Sequence, residues 1–211
     1  MIYSAVNLPV LERVPRETIR VVDLGCGDGA LGLALKARQS CRVLGVTASA
    51  DEARRAREAL DRVVVHDLET WDMAELRDER PELVICSHVL EHLRSPERLL
   101  RKLRAELGPA VTLLVALPNV VHWRQRLGFL QGTFRYTAGG LLDETHLRFY
   151  DWTSARGLIE SAGWAVRSAS AEGHFPYLWR LPLVGQLLDR GACAVRPNLF
   201  GVQFLFLARP A

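Results

Sequence analysis

This chain of 211 residues has almost no lysine, few aromatic residues and no closely spaced cysteines. Lys36 and Lys102 are its only lysines; the other basic side chains are arginines scattered along the sequence, and the formal net charge is only +3. With no block or stripe of one sign, a nucleic-acid partner is not expected. The four cysteines, Cys26, Cys41, Cys86 and Cys193, form no C-x-x-C pair. That argues against a zinc ribbon or a disulfide framework, and no metal is expected. No apolar run reaches the roughly 18 residues of a membrane span. The opening stretch MIYSAVNLPVLERVPRE lacks the basic start and apolar run of a signal peptide, so a cytoplasmic protein is expected.

What the sequence does hold is an alternation. The composition, 49% apolar and 24% charged, is that of an ordinary globular protein, and the length suits one domain over 1–211. Apolar runs at 19–25, 41–46, 62–67, 82–87, 110–118, 164–170 and 202–209 read as strands. Helical spacing fills 29–39, 51–61, 95–108 and 153–163, the last capped by Thr153 or Ser154 and stopped by Gly163. Continuous apolar strands between amphipathic helices predict an α/β fold, a doubly wound and mostly parallel sheet covered on both faces. Two stretches break the alternation: a cover segment at 119–150 and an insertion at 171–200. The first leaves the carboxyl end of strand five, where ligands of open α/β sheets bind.

VVDLGCGDGALG (21–32) puts Gly25, Gly27 and Gly29 into the turn between strand one and helix one. Glycines there let the backbone approach a ligand closely. Read literally, Gly27 to Gly32 is also the G-x-G-x-x-G of dinucleotide sites, which keeps a nicotinamide-dependent oxidoreductase open as an alternative. The carboxylates separate the two cases. A pyrophosphate at a helix N-terminus is served by bare N–H groups, whereas Asp23 and Asp28 flank this turn with negative charge. That suits a ligand with a cationic head, such as the ammonium and sulfonium of S-adenosyl-L-methionine (SAM).

On these residues the sequence resembles the class I SAM-dependent methyltransferases. SHVLEHL (87–93) and the segment 118–151 are similar to a subgroup that includes ubiquinone-pathway, methionine-biosynthesis W-type and polysaccharide-associated members. The resemblance implies a Rossmann-like seven-stranded sheet with a reversed last strand. It implies that Asp23, Gly25, Cys26, Gly27 and Gly29 hold the methionine end of SAM. In HDLE (66–69), Asp67 would bind the adenine amino group and Leu68 the ring, while Ser87 and His88 would lie beside the methyl donor. One departure stands out: the family usually ends strand two with Asp or Glu, and this chain has Thr47. Glu52 is then the candidate for the ribose, with Ser49 and Asp51 behind it.

The histidines admit rival readings. His88, Glu91 and His92 match H-x-x-E-H, an inverted zinc-protease pattern, but the pattern follows a buried strand of an α/β unit, which is the wrong context. Glu91 and His92 are better read as holding a loop. In GLLDETHLRFY (140–150), Asp143 and His146 have the spacing of an oriented general base for an acceptor hydroxyl, with His88 the second candidate. Arg148 is a candidate to hold an acidic acceptor, and His122, Arg124 and Tyr136 to shape its pocket. HFPYLWRLPLVGQLLD (174–189) fits a core element, a lid, a homodimer surface or a membrane-surface contact. The expected function is methyl transfer from SAM to a small-molecule or glycan acceptor, most simply to oxygen. The alternative from another class is a SAM-binding regulatory partner of a biosynthetic enzyme.

Overall fold

The computed structural model describes residues 6–173 and 182–211. Its centre is a seven-stranded sheet of β1 (Arg20–Leu24), β2 (Arg42–Thr47), β3 (Arg62–Val65), β4 (Leu83–Ser87), β5 (Thr112–Pro118), β6 (Trp164–Glu172) and β7 (Gln203–Pro210). The order is β3-β2-β1-β4-β5-β7-β6, with β1 to β5 parallel and β7 antiparallel to both its neighbours. The expected fold class is therefore present. The nicotinamide reading fares worse, because the dinucleotide fold runs 3-2-1-4-5-6 with no reversed strand wedged beside β5.

The strands bury both faces, and their period of two sorts residues between two cores. Val22 and Leu24 of β1, Leu113, Val115 and Leu117 of β5, and Phe204 and Phe206 of β7 face one layer. That layer holds α4 (Ala74–Glu79), α5 (Pro96–Glu106) and α7 (Trp152–Ser161). Val21, Leu114, Ala116 and Leu205 face the other, against α1 (Leu8–Arg13), α2 (Ala30–Arg38) and α3 (Ala50–Ala56). The remaining helices are α6 (Trp123–Leu130), α8 (Pro182–Val195) and α9 (Pro197–Phe200), and a 3-10 turn covers Leu90–His92.

Local differences from the sequence pattern have physical causes. The helix expected over 51–61 stops at Ala56, because Asp61 turns away to pair with Lys36 at 2.9 Å and to accept from Val43 N at 2.8 Å. Neither Thr153 nor Ser154 caps α7. Asp151 does, in a capping box: Ser154 N donates to Asp151 Oδ1 at 2.7 Å, and Asp151 N pairs with Ser154 Oγ at 2.9 Å. Gly163 does end that helix region, with φ +87. Helices α1, α4 and α6 give no clear sign in the spacing, each being eight residues or fewer. Of the stretch 174–189, residues 174–181 lie outside the described residues, and residues 182–189 belong to α8. Among the described residues no helix is long and apolar enough to cross a membrane.

Candidate functional site

A cleft of about 720 Å³ opens at the carboxyl ends of the central strands, where the order turns from β1 to β4. The turn after β1 forms its floor. Gly25 takes φ +71, and a Cβ there would meet Val89 Cγ2 at 2.4 Å, so any side chain would strain the backbone and displace Val89. Gly25 N and Cys26 N both donate to Val46 O, at 2.8 and 3.0 Å, which pins the turn to the end of β2. Gly27, with φ +55, also lines the cleft. Gly29 does not. It precedes α2 at φ +86 with Ala56 Cα 3.2 Å from where its Cβ would be, so its smallness serves the packing of α2 on α3.

Three carboxylates, Asp23, Glu52 and Asp67, line the cleft, and no lysine or arginine does among the described residues. Asp23 is 2% exposed, and burial pushes its pKa up to about 7. It has no salt-bridge partner among the described residues. A carboxylate desolvated in this way is stabilised by a cation brought by a ligand. Thr47 Oγ1 donates to Glu52 Oε2, so Glu52 folds back from the first turn of α3 to the end of β2. Its carboxylate thereby stands beside the position where Thr47 departs from the family pattern. Ser49 N-caps α3, accepting from Glu52 N at 3.3 Å. Cys26 is buried with its thiol pKa pushed far up by desolvation and then by Asp23, which leaves it a packing residue rather than a nucleophile. Leu68 lines the wall beside Asp67.

The other wall is histidine-rich. His88 follows β4 in a left-handed conformation (φ +55), uncommon for a residue with a side chain. Its Nδ1 lies 3.2 Å from Glu91 Oε1 and its Nε2 2.9 Å from Gln203 Oε1. Gln203 in turn exchanges two bonds with Asn7, and Asn7 Nδ2 donates to Ser87 Oγ at 3.3 Å. Burial alone would lower the His88 pKa, but the Glu91 carboxylate and the Gln203 carbonyl oxygen raise it above the ordinary value. An acceptor at each nitrogen favours the protonated ring, which makes His88 the weaker candidate for a base.

His146 lines the cleft and is 7% exposed, with its Nε2 4.0 Å from Glu91 Oε1. Burial lowers its pKa despite the nearby Glu91. The Asp143 charge acts to raise the His146 pKa, but no described hydrogen bond joins the two side chains. The Asp143 carboxylate instead accepts from Thr145 N at 2.8 Å and Thr145 Oγ1 at 2.6 Å, closing the loop on itself. Glu91 ties the cover down, its carbonyl accepting from Leu147 N (2.8 Å) and Arg148 N (3.0 Å), while His92 Nδ1 meets the Thr145 carbonyl at 3.2 Å. Because Leu90–His92 is a 3-10 turn and His88 precedes it in a left-handed conformation, the H-x-x-E-H residues do not share a helix face.

Four candidates for the acceptor pocket lie away from the cleft. His122 is buried at the start of α6 with neither ring nitrogen bonded, and desolvation, then Arg124, pushes its pKa down to about 4. Arg124 stacks over Trp123 at 5.3 Å. Tyr136 is exposed in an aromatic group with Phe134 and Phe149. Arg148 donates to the Arg94 carbonyl at 2.6 Å. Only the end of the cover, through Gly140, Leu141, Thr145 and His146, reaches the cleft. Sequence reasoning missed Asn7 and Gln203, which also line it. Asn7 carried a signal, an Asn two residues before Pro9, which is how a capped helix starts. Gln203 carried none, being one polar residue at the head of an apolar strand.

Comparison with known proteins agrees with this geometry. A family model described as a methyltransferase domain matches residues 5–169. A trans-aconitate 2-methyltransferase of Azoarcus sp. (strain BH72) is 35% identical over 116 residues, covering 52% of this chain and 44% of that one. A ubiquinone biosynthesis O-methyltransferase of Xanthomonas campestris pv. campestris (strain B100) is 31% identical over 114 residues, covering 52% and 47%. The matched stretch thus spans about half the length of these curated relatives. A SAM-dependent methyltransferase from Archaeoglobus fulgidus shares the fold at a TM-score of 0.66 and 19% identity, over 96% of this chain and 89% of that one. The chain belongs to the methyltransferase domain family, in its class I form with SAM as the cofactor.

Proposed function

We propose that this chain, as one catalytic unit with 119–150 as its cover, transfers the methyl group of SAM to a hydroxyl oxygen of a neutral small-molecule or glycan acceptor. The observation that carries the reading is the polarity of the cleft, with carboxylates along one wall, histidines along the other and no lysine or arginine among the described lining residues. SAM supplies a methyl group made electrophilic by its sulfonium. Asp23, unpaired and buried, takes the ammonium of the methionine end; Glu52, steadied by Thr47, takes the ribose; Asp67 and Leu68 take the adenine. Gly25 and Gly27 let the backbone close on the ligand, and Cys26 packs beneath it. Methyl transfer is an in-line displacement, so the chain's main tasks are to align the acceptor and exclude water. His146 stands at the acceptor oxygen, and Ser87 and His88 fix the wall behind it through Asn7 and Gln203.

An anionic acceptor is disfavoured, because the described cleft offers it no lysine or arginine and Arg148 donates to the Arg94 carbonyl. The trans-aconitate relatives therefore inform the fold and the donor more than the acceptor. The test is turnover of methyl-labelled SAM against a panel of polyols, sugars and hydroxy acids. Label in a neutral hydroxylated acceptor supports the proposal. Binding of S-adenosylhomocysteine (SAH) with no turnover on any acceptor, together with a stable protein partner, favours the regulatory alternative instead.

A further inference from the structure

We propose that Glu91, His92 and His146 form a divalent-cation site on the acceptor side of the cleft, one that receives acceptors with two adjacent hydroxyl groups. The three residues come from two distant stretches, the 3-10 turn after β4 and the loop before Tyr150, and each offers a ligand atom within 4.8 Å of the others. Tetrahedral ligands at about 2.1 Å from zinc stand about 3.4 Å apart, so a small rotation of the side chains closes the set.

Two observations show that this is more than a structural knot. Glu91 is fully buried, yet among the described residues only its Oε1 is engaged, by His88, and its Oε2 has no hydrogen-bond partner. His146 is buried as well, and its Nδ1 has no partner meeting hydrogen-bond geometry, although the Leu141 main chain lies near the ring. A carboxylate that only held the loop would have both oxygens satisfied. The surroundings are also those of a prepared ligand set. His92 Nδ1 lies 3.2 Å from the Thr145 carbonyl and 3.1 Å from Thr145 Oγ1, and that hydroxyl gives its own proton to Asp143, so Nδ1 is the donor and the ring's lone pair is on Nε2. That gives Asp143 a positioning role toward His92.

One carboxylate and two imidazoles suit Zn²⁺, Mn²⁺, Fe²⁺ or Co²⁺ rather than the all-oxygen preference of Mg²⁺ or Ca²⁺. Three protein ligands leave coordination positions open, and His92 and His146 both face the cleft. The inference rests on the methyl-transfer reading for its acceptor. Two neighbouring hydroxyls of a vicinal diol fill the open positions, and the cation lowers the pKa of the one that reacts. That hydroxyl loses its proton to solvent, and its oxygen bonds to the methyl carbon. The carbon–sulfur bond breaks with its electron pair remaining on sulfur, and the sulfonium becomes a thioether.

The full chain, stripped with a chelator and dialysed, is titrated with Co²⁺ and Mn²⁺, and SAH affinity is read calorimetrically in the same samples. The expected result is one cation per chain, with a visible Co²⁺ absorption band. His92→Gln loses the band, Thr145→Ala weakens cation affinity by roughly 10- to 100-fold, and both variants bind SAH as the parent does. Methylation of a vicinal diol is expected to need the cation and to exceed that of the matching single alcohol. A parent chain that binds SAH but takes no cation overturns the site, as does a His92→Gln variant that binds Co²⁺ equally well. Equal methylation of diol and single alcohol overturns the chelating acceptor. A chain that takes one cation but binds no SAH supports the site and overturns the methyl-transfer reading on which the acceptor rests.

Discussion

The two walls of the cleft are built in different ways. The donor wall is assembled from the ends of adjacent parallel strands, β1, β2 and β3, and each of its polar residues lies at the end of its strand or within a few positions after it. The histidine wall is assembled from Asn7, His88 to His92, Thr145 to His146 and Gln203, which are up to 196 positions apart and held together largely by side chains, with two backbone bonds to the Glu91 carbonyl beside them. A wall made by backbone register tolerates the loss of one polar contact. A wall made by a chain of side-chain bonds transmits the loss of any link. The donor wall is therefore expected to yield graded losses of affinity, and the histidine wall losses of turnover at nearly constant donor affinity.

The largest effect that tests this contrast is expected at Gly25. Gly25→Ala must meet Val89 Cγ2 and hold φ +71, which costs roughly 1–2 kcal/mol from the backbone alone. Thermal unfolding should drop by several degrees and SAH binding should fall by more than tenfold. Next, His146→Gln should abolish most turnover while SAH affinity stays within about twofold; matched calorimetry and label transfer check the split. A parallel loss of both would merge the two walls. Glu52→Gln keeps the shape but removes the charge that accepts from Thr47. Hydrogen bonds to charged groups contribute about 1.5–3 kcal/mol, so SAH affinity should fall by roughly 10- to 100-fold, with kcat less affected than KM. The smallest effect is expected at Tyr136→Ala, which lies off the cleft: KM for any acceptor should stay within about twofold. A larger change there would return the outer cover to the acceptor pocket.

This same division explains what the sequence made legible. That Gly25, Gly27, Asp23, Glu52, Asp67 and Leu68 would meet at one cleft was readable because strand ends are visible as the ends of apolar runs, and a parallel sheet brings successive strand ends together. The reversed strand followed only from the family resemblance. The acceptor side was readable in part. GLLDETHLRFY reaches the cleft at Gly140, Leu141, Thr145 and His146, and its charged residues divide the work differently from the expectation. Asp143 fixes Thr145, Arg148 ties to Arg94, and His146 alone reaches the cleft. Spacing along a loop says which side chains are near in sequence, not which way the backbone turns between them. The same limit hid Gln203, and it placed His122, Arg124 and Tyr136 in a pocket that α6 carries away from the cleft.

Asp23 offers the sharpest pH signature. Its folded pKa, about 7, stands above the usual carboxylate range, so the folded chain keeps a proton that the unfolded chain has released between about pH 4 and 7. Its contribution to stability accordingly falls as pH rises across that window. A cationic ligand reverses the preference, because only the ionised carboxylate pairs with an ammonium. The most direct measurement is calorimetric titration with SAH at pH 6 and pH 8, on the parent chain and on Asp23→Asn. The account predicts binding about tenfold weaker at pH 6 than at pH 8 in the parent chain, and weak, pH-independent binding in the variant. Equal affinity at both pH values, or an Asp23→Asn chain that binds like the parent, would contradict it.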